Sequence, residues 1–227
     1  MSTKYSCLMD YDFALKLIVL GDYNTGKTTF VNTYVREEPH NTVYEPTIGI
    51  DFAARAIELK SGTIVKLACW DTSGQENFRS IVRSYYRDVC GVFLLFDVTS
   101  RRSFNSLGSW LRDIRRNKSC KGHDHPILVL GTKIDKPDRR VSKEEVLRFT
   151  DDNGLSYAEI NATVADKMDM IVPLFAQKII STVGGAACRG VTRKKSSAGG
   201  EPLSLADDPA RKDGGKPPPE KTCCVIS

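Results

Sequence analysis

Along the first 183 residues, short continuous apolar runs alternate with stretches whose apolar residues recur at helical spacing. Leu15 to Gly21 is a β-rich run ending in a glycine loop, and Lys27 to Arg36 follows with a helical pattern. Ile50 to Leu59 and Thr63 to Trp70 read as an antiparallel hairpin that turns at Ser61-Gly62. A short helix is expected near Phe78 to Tyr86, and Gly91 to Asp97 is apolar enough for a strand buried on both faces. Phe104, Leu107, Leu111 and Ile114 give 103–116 one apolar face, as an amphipathic helix requires. Ile127 to Gly131 is a second buried strand. Ser142, with Glu145 three residues on, is a capping box opening another helix. Ser156 to Ile160 is the last strand and Asp166 to Ile180 the last helix; Pro173 distorts that helix or marks a later start. Strand and helix in alternation predict an α/β protein with a mostly parallel sheet covered on both faces. Ligands of such sheets bind at the carboxyl ends of the strands.

The pattern changes at Val183. Residues 184–227 hold seven Gly and five Pro and no aromatic residue. Such a segment buries too little apolar surface to offset the entropy of ordering it, so it reads as a flexible tail. It carries eight Lys or Arg and five Asp or Glu, and so three of the five net positive charges of the chain. That excess is too small to argue for a nucleic-acid partner. The seven cysteines are scattered or terminal, without metal spacing, which fits a reducing compartment better than a disulfide framework. The longest apolar stretches, Ala14 to Gly21 and Val89 to Phe96, are far short of the ~20 residues of a membrane-spanning helix. The N-terminus shows no secretory signal pattern, and Ser2 stands where myristoylation needs Gly.

Gly21-Asp22-Tyr23-Asn24-Thr25-Gly26-Lys27-Thr28 matches G-x-x-x-x-G-K-[ST], between a predicted strand and a predicted helix. In that context backbone N–H groups of the loop point at phosphate oxygens, and the helix N-terminus adds its dipole. Lys27 reaches the β- and γ-phosphates and Thr28 supplies a hydroxyl to Mg²⁺. Tyr23, Asn24, Thr25, Gly26 and Thr29 are the other nucleotide-binding residues expected in this segment. The loop does not name the base.

The later motifs resemble those of Rab-type small GTPases, in the family's order, from about Leu15 to Ile180. Asp71-Thr72-Ser73-Gly74-Gln75 resembles the family's D-x-x-G-Q motif, and Thr132-Lys133-Ile134-Asp135 its guanine-reading [N/T]-K-x-D motif. Asn161-Ala162-Thr163 stands where the family usually has S-A-K. Pro46-Thr47-Ile48-Gly49-Ile50-Asp51-Phe52 looks like a Rab switch I. Ser84-Tyr85-Tyr86-Arg87, Phe96-Asp97-Val98-Thr99, and Ser103-Phe104 with Trp110 are also Rab-like.

The resemblance implies the P-loop small GTPase fold: an α/β domain over 1–183, its core about 14–181, with a six-stranded sheet and helices on both faces. Residues 184–227 become a hypervariable tail ending in a prenylation motif. It implies GTP and GDP as bound nucleotides with Mg²⁺. Asp135 accepts hydrogen bonds from guanine N1–H and its exocyclic amine, a donor pair adenine lacks. Lys133 lays its stem over the ring, Ala162 offers a backbone N–H to the guanine oxygen, and Thr132, Thr163 and Tyr44 complete the nucleotide set. Thr47 and Asp71 join Thr28 at the metal, Gly74 gives its N–H to the γ-phosphate, and Gln75 orients the attacking water. Hydrolysis then releases both switch loops. Phe52, Trp70 and Tyr85 match an aromatic triad shown to effectors; taken singly, each is as readily explained by core packing.

Five positions depart from the family's pattern. Tyr23 and Asn24 replace residues that are usually small, Ser73 replaces alanine, Thr163 replaces lysine, and His40 stands at a common aromatic position. None removes a phosphate or metal ligand. Tyr23 and Ser73 support a second reading, a GTP-binding scaffold with slow or absent hydrolysis. A P-loop kinase or ATPase, a third class, would lack Lys133 and Asp135 in this register. Cys224-Val225-Ile226-Ser227 is a C-a-a-X box that calls for one farnesyl, whereas the paired Cys223 and Cys224 resemble a Rab ending with two geranylgeranyls. The resemblance thus implies an exchange factor, a GAP, a GDP-dissociation inhibitor, an escort protein with its prenyltransferase, and membrane effectors as partners. It places the chain on the cytoplasmic face of an endomembrane or the plasma membrane, with a soluble pool.

Overall fold

The computed structural model describes residues 11–38, 47, 49–73, 85–117, 124–183 and 191–193. Its strands are β1 (Phe13–Gly21), β2 (Ile50–Glu58), β3 (Ile64–Thr72), β4 (Gly91–Asp97), β5 (Ile127–Thr132), β6 (Ser156–Glu159) and β7 (Val191–Arg193). Six of them form a sheet in the order β2-β3-β1-β4-β5-β6, and only β2 in that path runs antiparallel. β4 and β5 are buried at every position, as the unbroken apolar runs predict for strands covered on both faces. β3 alternates buried and half-buried residues, because it carries one side of the hairpin outward. The hairpin turn is the expected one: Gly62 takes φ +79° and donates to Leu59 O, and Leu59 N–H donates to Thr63 O.

The helices differ in detail from the sequence pattern. Residues 27–36 are not one helix: α1 spans only Lys27–Phe30 and passes into a wide π-type turn over Val31–Val35. The 103–116 pattern is two helices, α2 (Arg101–Asn105) and α3 (Leu107–Arg116), joined at Ser106. Ser100 caps α2 by accepting from Ser103 N–H, so the chain enters the helix earlier than the apolar spacing alone suggests. α4 (Lys143–Asn153) opens on the predicted capping box, Ser142 accepting from Glu145 N–H and Glu145 from Ser142 N–H. α5 (Asp166–Val183) runs through Pro173. The carbonyl that Pro173 leaves without a donor belongs to exposed Asp169, where water can reach it. The helix expected near Phe78 to Tyr86 lies mostly outside the described residues.

Two apolar clusters fill the layers on either side of the sheet. Leu15, Leu17, Phe30, Phe93 and Phe175 anchor one; Ile18, Leu20, Phe96, Trp110 and Val129 anchor the other. β7 departs from the sequence expectation. It lies within 184–227, yet its backbone pairs antiparallel with Phe13, Ala14 and Leu15. β4 joins β1 only from Leu17 onward, so the preceding edge of β1 is open to another strand. The described residues all belong to one compact unit.

Candidate nucleotide site

Because β1, β3, β4, β5 and β6 run parallel, Gly21, Thr72, Asp97, Thr132 and Glu159 end at one edge of the sheet. Every described loop that the sequence assigns to nucleotide leaves from there. Gly21 takes φ +142°, and a Cβ on it would fall 2.2 Å from Leu95 O, so glycine is the only residue that lets the chain turn here. Asn24 (φ +60°) and Gly26 (φ +85°) are left-handed as well. Asn is the non-glycine residue that tolerates this best, which accounts for its replacing a glycine. Gly26 precedes the first turn of α1 and faces Ala162 and Thr132, so the 21–28, 132–135 and 161–163 loops converge. Thr132 ties two of them by donating from Oγ1 to Thr25 O at 2.8 Å. Thr163 folds onto its own loop, its N–H and hydroxyl both donating to Asn161 Oδ1.

Lys27 is 5% exposed and its Nζ donates to Asp22 O at 2.7 Å. Burial pushes this ammonium down to about 8, against the pull of Asp71 and Asp22. Asp22 is held from its other side, since Trp110 Nε1 donates to its Oδ1 at 2.8 Å. The sequence motif names neither contact; the first is made within the loop, and the second needs Trp110 of α3 to pack against it.

Thr28 Oγ1 donates to Asp71 Oδ2 at 2.7 Å and lies 2.7 Å from Thr47 Oγ1. With its proton committed to Asp71, Thr28 accepts from Thr47. Asp71 is fully buried, and its Oδ1 has no hydrogen-bond partner. Burial raises its pKa to about 6, with the Thr28 hydrogen bond and Lys27 opposing. A buried carboxylate with an idle oxygen beside two hydroxyls is a hard, all-oxygen donor set, and it fits Mg²⁺. No group of three or more His, Cys, Asp or Glu suited to a metal occurs among the described residues; two of the three donors here are hydroxyls.

On the base side, Lys133 takes φ +60° and its Nζ lies 2.8 Å from Asp97 Oδ2. Burial alone would raise the Asp97 pKa, but hydrogen bonds from Lys133 and Thr99 hold it below the usual carboxylate value. Asp135 is solvent-exposed. Phe52 and Trp70 pack edge to face at 4.8 Å, and Phe52 is 51% exposed, so that part of the aromatic set is a surface rather than core. Tyr85 is half-buried. Tyr23 is 48% exposed at the lip of the phosphate loop, and Ser73 is buried with its N–H on Gly49 O. Tyr44, Gly74, Gln75, His40, Cys223 and Cys224 lie outside the described residues. No helix among the described residues is long and apolar enough to cross a membrane.

Comparison with known proteins agrees with this geometry. The family model described as Ras family matches residues 16–181. The chain is 34% identical to Ras-related protein Rab-8B of Homo sapiens over 203 residues, 89% of this chain and 94% of that one. It is 38% identical to Ras-related protein Rab-10 of Caenorhabditis elegans over 172 residues, 75% of this chain and 83% of the relative. It is 32% identical to Ras-related protein Rab-27B of Homo sapiens over 225 residues, 95% of this chain and 98% of the relative.

Proposed function

The chain belongs to the Ras family of small GTPases, and on that premise we propose that it is a Rab-type switch: it binds GTP and GDP with Mg²⁺, hydrolyses GTP, and acts at membranes in vesicle trafficking. The observation that carries this reading is the meeting of Thr28, Thr47 and Asp71, at 2.7 Å spacings, next to the buried ammonium of Lys27. Thr28, Thr47 and Asp71 would hold Mg²⁺ there, and the ion would supply positive charge against the phosphates. Thr47 belongs to the segment between α1 and β2, so its hydroxyl couples that segment to the state of the γ-phosphate. Gly74 supplies an N–H to the same phosphate and Gln75 aligns the water. Loss of the γ-phosphate then frees both segments, and effectors reading Phe52, Trp70 and Tyr85 distinguish the two states.

We assign slow intrinsic turnover to Tyr23. Its phenol is half-exposed at the mouth of the loop, and the family resemblance implies that Gln75 and a GAP's arginine must enter on that side. Single-turnover hydrolysis is expected to run about tenfold faster in Tyr23→Ser, since small misplacements at a reacting centre carry large rate effects. Equal rates would contradict the assignment.

Exchange factor, GAP, GDP-dissociation inhibitor, escort protein and prenyltransferase are the partners that this cycle requires. Cys223 and Cys224 are the proposed lipid acceptors, on a tail that reaches the cytoplasmic face of an endomembrane or the plasma membrane. Two lipids hold a protein stably where one binds only marginally. Intact-mass spectrometry of protein from its own cells should therefore show two geranylgeranyl groups; a single farnesyl or an unmodified chain would refute dual anchoring.

A further inference from the structure

Asp97 closes β4 at the sheet edge where the nucleotide loops gather, and it is 6% exposed. Both of its carboxylate oxygens are engaged. Oδ2 lies 2.8 Å from Lys133 Nζ, and Oδ1 accepts from the N–H and the hydroxyl of Thr99 at 2.8 and 2.7 Å. Its backbone is fixed as well: the Asp97 carbonyl accepts from Ser100 N–H and from the Ser103 hydroxyl, and Asp97 pairs in register with Thr132 on β5. The carboxylate is therefore a rigid post, set by β4 and the first turn of α2.

Lys133 depends on that post. It is the residue after β5, and it holds a left-handed φ of +60°, which a non-glycine side chain keeps only where its surroundings impose it. A lysine stem has four rotatable bonds, and a free one loses that freedom when a ring packs on it. With Nζ tied to Asp97, both ends of the stem are held before any ring arrives. Thr132 is tied at the same time to the phosphate loop through Thr25 O. Thr132 and Lys133 are thus each pinned, and Asp135 follows two residues after Lys133.

We propose that Asp97 is a positioning residue for base recognition: by holding the ammonium of Lys133, it presents the lysine stem as a preformed face for the purine and fixes where Asp135 meets the base edge. This rests on the guanine-site reading of Lys133 and Asp135. Asp97 itself touches no nucleotide. It acts through Lys133, and it is a feature of the β4 end that the guanine motif does not include.

The test is release of a fluorescent GDP analogue from the full-length Mg²⁺-loaded protein. Asp97→Asn keeps an oxygen for Thr99 and removes the charge facing Lys133. Release is expected to quicken about tenfold, the scale of one charge-assisted hydrogen bond. Single-turnover GTP hydrolysis should be unchanged, because the phosphate side is untouched. Thr99→Val, which strips one bond from the other oxygen and spares the ion pair, should lower the melting temperature and leave release within about twofold of wild type. The decisive arm is the cycle with Lys133→Met: in that background Asp97→Asn should add nothing further. If the two substitutions multiply, Asp97 acts through the fold and the proposal is overturned. Wild-type release rates in Asp97→Asn overturn it too. Asp97→Thr, which also retains an oxygen for the Thr99 N–H, is the second variant should Asp97→Asn not fold, with the same expectation. Wild-type protein that exchanges GDP for ATP as readily as for GTP would instead overturn the guanine-site reading, a result separable from both.

Discussion

Lys27→Met should weaken binding of GDP and GTP by about 100-fold or more, and the nucleotide-free protein should be no less stable than wild type. The two halves of this result have one cause. Lys27 lies under the phosphate loop at 5% exposure, and its ammonium donates to the Asp22 carbonyl at 2.7 Å. Its pKa falls from 10.5 to about 8 because burial disfavours the charged form, although Asp71 and Asp22 oppose the fall. A folded pKa below the unfolded value means that the folded state resists protonation. The cost is present in full below pH 8, is on the order of 3 kcal/mol there, and fades as pH rises from 8 to 10.5. Methionine keeps most of the volume and removes the charge, so it removes that cost along with the hydrogen bond. Phosphate oxygens are what make a cation here favourable, and they lose their principal partner in the variant. Titration calorimetry with GDP, and thermal melting of protein stripped of nucleotide, measure the two halves separately. Binding within tenfold of wild type would show that Lys27 is a core lysine and not a phosphate ligand.

The buried framework was legible because its signals are local. The apolar runs of β4 and β5 are continuous, and every residue in them is buried. The phosphate loop was legible for a related reason: the glycines at 21 and 26 are set by backbone angles that other residues avoid, so the motif is a record of geometry. Ser142 and Glu145 announce α4 by a reciprocal pair three residues apart. What escaped is what depends on partners far along the chain. The break between α2 and α3 at Ser106 falls inside one continuous apolar stripe, so periodicity runs across it. Val191 to Arg193 has strand residues, but the open edge of β1 that they pair with is nearly 180 residues away. The Asp22–Trp110 hydrogen bond spans 88 residues, and Asp97 meets Lys133 only because β4 and β5 are neighbours. Asp97 did carry one usable sign: an acidic residue ending a buried strand at the ligand edge of a parallel sheet. At the proposed metal set the sequence brought Thr28, Thr47 and Asp71 forward as candidates, but not that Asp71 keeps one oxygen idle while Thr28 and Thr47 share a proton chain toward the other.

Discrimination between guanine and adenine nucleotides is the second large effect. Guanine presents an N1–H and an exocyclic amine on one edge, and a carboxylate can accept from both; adenine presents an unprotonated N1 there. Asp135 is exposed and has no hydrogen-bond or ion-pair partner among the described residues, while Lys133 close by is already tied to Asp97. A site that accepts hydrogen bonds from the right ring is left with an unpaired carboxylate by the wrong one, and that asymmetry supports a preference of about 10³-fold or more. The phosphate loop alone gives no such preference, because GTP and ATP carry the same triphosphate. Competition of GTP against ATP for displacement of a bound fluorescent GDP analogue, with Mg²⁺ present, therefore tests the account most directly. Displacement by GTP is expected at concentrations at least about 10³ below those needed for ATP; equal displacement by the two nucleotides would contradict the guanine-site assignment.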